Sequence, residues 1–459
     1  MVVGIIPRVT IRAPMRRLCV LIAVALVGFA CRLPIQRGRW NVVVVLVDTL
    51  RADHLGAYGY ERPTSPRFDA LAAESYLFTD ARAQASCTYP SVNSLLTSRY
   101  PARFLGQPGG GLGIPANTPS IAELLAARGW ATAAVSASAV MRKGPTRYNP
   151  GGGFGRGFTR FDEECLWRGA SCVTSRGIAA AERLREPFFL YLHYIDPHGP
   201  YDPPRPYRKE FRIGRRTEQP WVLRGDPTPI ARSLAGGPRV SYGPREVRFL
   251  QGLYDGEVAY VDTQLGKLVD GLREKGLLQR TILVVLSDHG ESFLEHGTVR
   301  HCTNVYDAEV KTPLLLRLPQ QRHGERLAGV VENLDLVPTL LDLLGLPIEA
   351  QGFEGRSLLP RLDGDRGGDR HAFAMMNRWR AVADDRYKLV TELGSDRWQL
   401  FDLSRDPGER RDVKGEAGES QEAFRRLRAA LQEQIARTEG PEMSRYTVEA
   451  EARLRALGY

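Results

Sequence analysis

The 459-residue chain has few lysines, cysteines and histidines (seven, six and eight), and no apolar run of the roughly 20 residues that a helix needs to span a bilayer. Together with a hydrophobic fraction of 43% and a charged fraction of 25%, that last absence excludes a multi-span membrane protein and a disordered or collagen-like chain. The cysteines lack the closely paired spacing of a zinc ribbon, so a structural zinc site of that kind is not expected. Scarce lysine leaves 56 of the 63 basic residues as Arg, scattered with no basic run joined to aromatics. Nucleic acid is therefore not an expected partner, despite a net charge of +10. Acid is missing altogether from residues 1–40, which hold seven Arg, so the rest of the chain carries only +3. No internal repeat is visible. The length allows a large core with a satellite domain.

The acid-free start reads as an address. Arg8, Arg12, Arg16 and Arg17 precede a 13-residue apolar stretch, 18–30, which is too short to span a membrane and fits a signal peptide or lipoprotein leader over residues 1–30. Gly28 and Ala30 are small residues at −3 and −1 of a cleavage after Ala30, and Cys31 follows as at a bacterial lipoprotein acceptor. Export to the periplasm or cell envelope is expected. Three fates stay open: a lipid on Cys31, simple secretion, or an uncleaved leader as membrane attachment. In that oxidising setting Cys87, Cys165, Cys172 and Cys302 can form two disulfides.

Three apolar runs follow at 41–47, 188–192 and 281–287, each without a polar face, as strands buried on both sides of a parallel sheet require. They end at Asp48, near His193 and Asp196, and at Asp288. Ligand-type residues at several strand ends are the pattern of an open α/β sheet, whose sites lie beyond the carboxyl ends of its strands. Val258, Val261, Leu265, Leu268, Val269 and Leu272 predict a helix over 255–275. Residues 202–245, rich in Pro, Arg and Gly, read as a surface excursion over the site. A catalytic domain is placed at 40–360. A C-terminal subdomain at 372–459 would hold a small antiparallel sheet, with strands at 379–383, 387–391 and 399–403, and a helical tail at 419–438.

Asp48 stands in Val47-Asp48-Thr49-Leu50-Arg51-Ala52-Asp53-His54, and Asp288-His289-Gly290-Glu291 sets a carboxylate beside an imidazole, with Gly290 allowing a sharp exit. Asp with His suits zinc or manganese, whereas a site for calcium alone would use oxygen throughout. Between them, Pro90 fits the first turn of a helix, and the hydroxyl of Thr88 would sit at its positive end. An anionic ester placed there would meet backbone N–H donors, and a metal could deprotonate Thr88. On this segment alone Thr88 reads first as a simple N-cap.

Taken in order, five motifs resemble the sulfatase branch of the alkaline phosphatase superfamily: Asp48; Thr-x-Pro-Ser-x-x-Ser-Leu-Leu-Thr at 88–97; Asp196-Pro197-His198-x-Pro200-Tyr201; Asp288-His289-Gly290-Glu291; and His301 followed by Tyr306 and Pro313. The resemblance covers residues 40–360 and extends to Tyr387-Lys388-Leu389 and Leu400-Phe401-Asp402-Leu403. It implies an alkaline-phosphatase-like α/β fold, with a central mostly parallel sheet flanked by helices and a small C-terminal α+β subdomain. It further implies a hydrolase of sulfate or phosphate esters that depends on a divalent metal: zinc, manganese or calcium. Asp48, Asp288, His289 and Thr88 would hold the metal. Thr88 would attack the anionic ester, His198 would neutralise nonbridging oxygens and His301 would protonate the leaving group. His193 and Lys311 are second-tier candidates, and His296 either serves a second metal or lines a loop. His54, His323 and His371 are expected on the surface or in loops.

The departures from the family pattern concern the reaction. Aligned on Pro90, Thr88 stands where sulfatases carry the Cys or Ser that becomes formylglycine, Val92 replaces an Arg, and Cys87 is one residue out of register, so formylglycine is not expected. Thr49 replaces a second acid, and 129–136 lack the family's Lys-x-His. The Asp, Thr, Asp, His set is similar to that of phosphoethanolamine transferases of the superfamily. Transfer of a phosphoryl-linked group at a membrane surface, or a sulfatase-like binding protein without activity, are the alternatives. With both Cys87 and Cys302 placed near the metal by the resemblance, a Cys87–Cys302 disulfide is expected to tie the two loops.

Overall fold

The computed structural model describes residues 1, 35–105, 113–146, 151–213, 219–348, 352–365 and 370–439. The chain divides into two units, Met1–Gln36 and Arg37–Tyr459. The leader, Cys31 included, and the end of the chain after residue 439 lie outside the described residues. No described helix is long and apolar enough to cross a membrane.

In the second unit, β1 (Asn41–Val47) is buried at every position. Val43, Val45 and Val47 point into the core made with the helices Ala170–Arg183 and Pro244–Glu274, while Val42, Val44 and Leu46 on the opposite face are buried as deeply. Around it lie β2 (Tyr76–Arg82), β3 (Ala131–Ser136), β4 (Arg160–Asp162), β5 (Phe188–Tyr194) and β6 (Thr281–Leu286). Two two-residue strands, β7 (Ser292–Phe293) and β8 (Val299–Arg300), precede β9 (Lys311–Arg317) and β10 (Glu325–Glu332). The eight-stranded sheet has the order β10-β2-β9-β6-β1-β5-β3-β4, and β9 alone runs antiparallel to its neighbours. The carboxyl ends of β6, β1 and β5 are thus side by side, with Leu46 paired to both Leu286 and His193.

The helix expected at 255–275 begins eleven residues earlier, at Pro244. Glu246 accepts from the backbone N–H of Gly243 at 3.0 Å, and Val247, Leu250, Leu253 and Tyr254 continue the buried stripe. Gly252 and Gly256 obscure that stripe in the sequence for a packing reason. A Cβ on Gly252 would come 2.7 Å from the Phe211 carbonyl, and one on Gly256 2.9 Å from Pro203. The 202–245 excursion lies against the helix there. It carries helices of its own, Arg205–Phe211, Pro220–Leu223 and Thr228–Leu234, and contributes Trp221, Val222 and Ile230 to the main core.

The C-terminal sheet is an antiparallel meander of β11 (Ala372–Met376), β12 (Trp379–Ala383), β13 (Tyr387–Glu392) and β14 (Trp398–Asp402). Strand β11 was not expected, since Ala-Phe-Ala-Met-Met has no β-branched residue. One face packs Val382, Leu389 and Leu400 against Ala423, Leu427 and Leu431 of the helix Glu419–Thr438. The other packs Ala374, Met376, Ala381, Val390 and Phe401 against Cys87, Cys302, Val305, Tyr306 and Val310. The small sheet therefore buttresses the loops that carry Thr88 and His301.

Candidate active site

Asp48 leaves β1 into a turn that is locked from several sides. Thr49 is a β-branched residue at φ 58°, a conformation that persists only when its surroundings fix it. The Tyr254 hydroxyl donates to the Thr49 carbonyl at 2.7 Å and accepts from the Arg51 N–H at 2.9 Å. The Leu50 N–H reaches Ser287 Oγ at 2.9 Å, and the Thr49 N–H reaches Asp288 Oδ1 at 3.3 Å. Gly290 is needed because the Ala308 carbonyl lies 2.1 Å from where a Cβ would be; its φ is not positive.

Asp48, Asp288 and His289 are buried, and each offers a ligand atom within 4.8 Å of the others. Asp48 Oδ1 and Asp288 Oδ2 have no hydrogen-bond partner. Burial, with Asp288 beside it, pushes the Asp48 carboxyl well above the usual carboxylate range. Among the described residues no Lys or Arg pairs with either acid. Unpaired buried carboxylates cost several kcal/mol each, so the donor set fits a divalent cation of borderline hardness. His289 donates Nδ1–H to the Gly290 carbonyl at 2.9 Å, which turns the lone pair of Nε2 into the cluster.

The Thr88 hydroxyl stands 3.2 Å from that Nε2. Thr88 is the first residue of the helix Thr88–Thr97, Cys87 is its N-cap, and no side chain caps it. The N-cap reading of Thr88 is therefore corrected: Cys87 is the N-cap, and the Thr88 hydroxyl faces His289. Ser91 Oγ donates to the Asp288 carbonyl at 2.6 Å and binds the helix to the strand end. Cys87 is bonded to Cys302, and the Cys302 N–H donates to the Ser86 carbonyl at 2.7 Å, so the Thr88 and His301 loops are joined twice. Cys165 and Cys172 form a second disulfide.

His193, fully buried, donates Nε2–H to Asp48 Oδ2 at 3.3 Å while Nδ1 accepts from the Tyr191 hydroxyl at 3.0 Å. Burial lowers this imidazole to about 4, so it stays neutral. His301 donates Nδ1–H to Glu291 Oε1 at 3.1 Å. Burial, His289 and Arg300 hold His301 well below its ordinary value, and burial raises Glu291. The ring of His198 is 4.9 Å from that of His301, and its Nδ1–H donates to the Gly199 carbonyl at 2.7 Å. Burial and His301 lower it to about 3.

The other sequence candidates lie elsewhere. Lys311 faces Asp80 at 3.6 Å, and His296 stacks on Tyr306 at 3.7 Å with Glu409 3.8 Å away. His54 is a correction: it is buried, with Nδ1 2.6 Å from Asp255. His323 is exposed and His371 partly so. Glu291 lies in the Asp288-His289-Gly290-Glu291 motif, which gave it no role, and Arg300 directly precedes His301; Tyr191 and Tyr254 had no local signal, because only the sheet and the long helix bring them to the site.

An eight-stranded, mostly parallel sheet with this cluster at its carboxyl edge, and a small antiparallel sheet behind it, defines an alkaline-phosphatase-like α/β protein. The chain belongs to the sulfatase family, whose model matches residues 40–346; a second model, for the C-terminal part of N-sulphoglucosamine sulphohydrolase, matches residues 295–438. Arylsulfatase K of Xenopus laevis is 29% identical over 306 residues, covering 58% of this chain and 55% of that protein. The chain thus spans about half the length of that relative. An arylsulfatase of Clostridium perfringens is 24% identical over 434 residues, 80% of this chain and 89% of its own length. Among solved structures, a 2-O GAG sulfatase superposes with a TM-score of 0.69 at 19% identity, covering 88% of this chain and 96% of that one. The phosphonate monoester hydrolase of Agrobacterium radiobacter gives 0.68 at 22% identity, covering 86% and 96%.

Proposed function

We propose that this sulfatase-family chain is an exported hydrolase of sulfate or phosphate esters that uses Thr88 as its nucleophile. The observation that carries this is the Thr88 hydroxyl inside the Asp48, Asp288 and His289 cluster, at a helix N-terminus it does not cap. A divalent metal held by Asp48, Asp288, His289 and Thr88 would supply charge to the ester oxygens and acidify the hydroxyl. Thr88 Oγ1, its proton released to solvent, attacks the central phosphorus or sulfur, the bond to the alkoxy or aryloxy group breaks, and His301, whose Nε2 takes up a proton with the incoming anion, gives that proton to the departing group. Glu291 orients His301 through Nδ1–H. His198, neutral in the anion-free protein, gains a proton along with the incoming anion and balances its charge. Water then cleaves the ester on Thr88. A threonine sulfate would need a second attack at sulfur, whereas a threonine phosphate turns over more readily. That same fold serves phosphorus-ester chemistry in the phosphonate monoester hydrolases. Phosphoryl transfer to an acceptor shares the first step and would differ in needing that acceptor.

Export rests on the Arg-rich leader and the two disulfides, which persist in oxidising compartments. Attachment to the membrane would run through Cys31 or the uncleaved leader. The test is turnover of an aryl sulfate, a phosphate monoester and a phosphate diester by the leaderless protein with zinc, manganese or calcium. Thr88→Ala is expected to lose about a thousand-fold or more on the preferred ester. Unchanged turnover in that variant removes Thr88 from the mechanism. Turnover only with an added alcohol or lipid acceptor would establish the transferase reading instead.

A further inference from the structure

From the buried cluster outward four rings neighbour one another in turn. His289 and His301 are 4.6 Å apart, His301 and His198 4.9 Å, and His198 and the indole of Trp167 6.2 Å. Exposure rises along that series, from fully buried His289 through partly exposed His198 to Trp167 at 57%. Within 37–439 only Trp167 and Leu234 are exposed large apolar residues among those described. A lone exposed apolar residue needs no explanation by itself, but this one is held in place. Trp167 has φ 56°, a left-handed conformation rare for a bulky side chain. The Cys165–Cys172 disulfide closes its loop, the Trp167 N–H donates to the Ala137 carbonyl at 3.2 Å, and the Arg168 N–H donates to the Cys165 carbonyl at 2.8 Å. The Ala137 N–H in turn donates to the His193 carbonyl at 3.1 Å, so the loop is pinned to the sheet edge that carries the site. A strained backbone, over-determined by its surroundings, holds an exposed indole beside His198, the outermost of the three imidazoles that lead from the Thr88 cluster.

We propose that Trp167 is a specificity-determining residue: it forms the platform for the organic part of the ester, and that part is a ring, aryl or pyranose, whose face lies on the indole. This rests on the ester reading of the site, and an acyclic headgroup would gain nothing from such a platform. The test reads binding, so that it does not depend on turnover. Calorimetric affinities of the leaderless, zinc-loaded protein are compared for benzenesulfonate against methanesulfonate, phenylphosphonate against methylphosphonate, and glucose 6-sulfate against ethyl sulfate. The ring-bearing anion is expected to bind about ten-fold tighter in at least one pair, and Trp167→Ala should bring that ratio close to one. Trp167→Phe should restore most of it. The pair that responds identifies the ring. No preference for a ring in the native protein, no binding of any ring-bearing anion, or a ratio unaltered in Trp167→Ala each overturns the proposal. Failure of hydrolysis alone would sink the proposed function and leave the measured ratio standing.

Discussion

Two clusters of buried charge sit on either side of the loop that joins β8 to β9, and they are built on opposite principles. At the junction with the C-terminal sheet, Arg82 meets Asp80 at 3.0 Å and Asp307 at 2.5 Å, Lys388 meets Glu409 at 2.7 Å, and Lys311 stands 3.6 Å from Asp80. Three acids there face three fixed cations. At the site, among the described residues, Asp48 and Asp288 face only imidazoles and no Lys or Arg. The junction supplies its own cations; the site supplies none, which is what the proposed metal would balance. Buried charge without its own counterion is where this chain gives up stability for chemistry.

The largest effect that separates the two is expected from Lys388→Ala. Lys388 is 1% exposed and serves both Asp307 and Glu409, and removing one partner of a buried pair costs about 3–5 kcal/mol. Urea unfolding should show that loss, and a loss under 1 kcal/mol would mean that water replaces the ammonium. Next comes cation binding. Zinc or manganese at a hundred times its dissociation constant should stabilise the native protein by about 2.7 kcal/mol, read as a rise in Tm, with no rise in Asp48→Asn. A smaller effect of opposite sign to the Lys388 result is expected in chelator: Asp48→Asn should be more stable than the native chain by about 1 kcal/mol, because it relieves a buried carboxylate beside another. Destabilisation there would show that the site does not hold uncompensated charge.

The sheet was legible because strands buried on both faces leave an unbroken β-branched run, as at β1 and β6, and polar residues at their ends mark the carboxyl edge. The cluster of Asp48, Asp288 and His289, proposed as the ligand set, was legible for the same reason. The start of the long helix was hidden by Gly252 and Gly256, whose missing side chains are a contact with the excursion and carry no periodic signal. Tyr191 and Tyr254 look like core residues because they are core residues; only the hydroxyls reach His193 and the Asp48 turn. His54 was misplaced because a buried histidine paired with Asp255, 201 positions away, has no local mark.

The smallest effect distinguishes the two clusters by pH. Against the raising effect of its burial, Arg82 and Lys388 hold the Asp307 carboxyl well below the usual carboxylate range. A carboxyl depressed in the folded state contributes stability above its unfolded pKa and loses it as pH falls, because the unfolded chain takes up the proton first. With an unfolded value near 3.9, the loss between pH 5 and pH 3.5 is about 0.7 kcal/mol. Asp307→Asn should lack this component, so its stability curve should fall less steeply than the native one over that interval. Asp48, displaced upward, pulls the other way: without a cation its carboxyl favours acid, and its contribution fades as pH rises above about 4. Parallel curves for the native chain and Asp307→Asn would show that the junction carboxylate is no better held in the folded protein than in the unfolded one, and the contrast between a self-balanced cluster and a cation-requiring one would then lose its electrostatic basis.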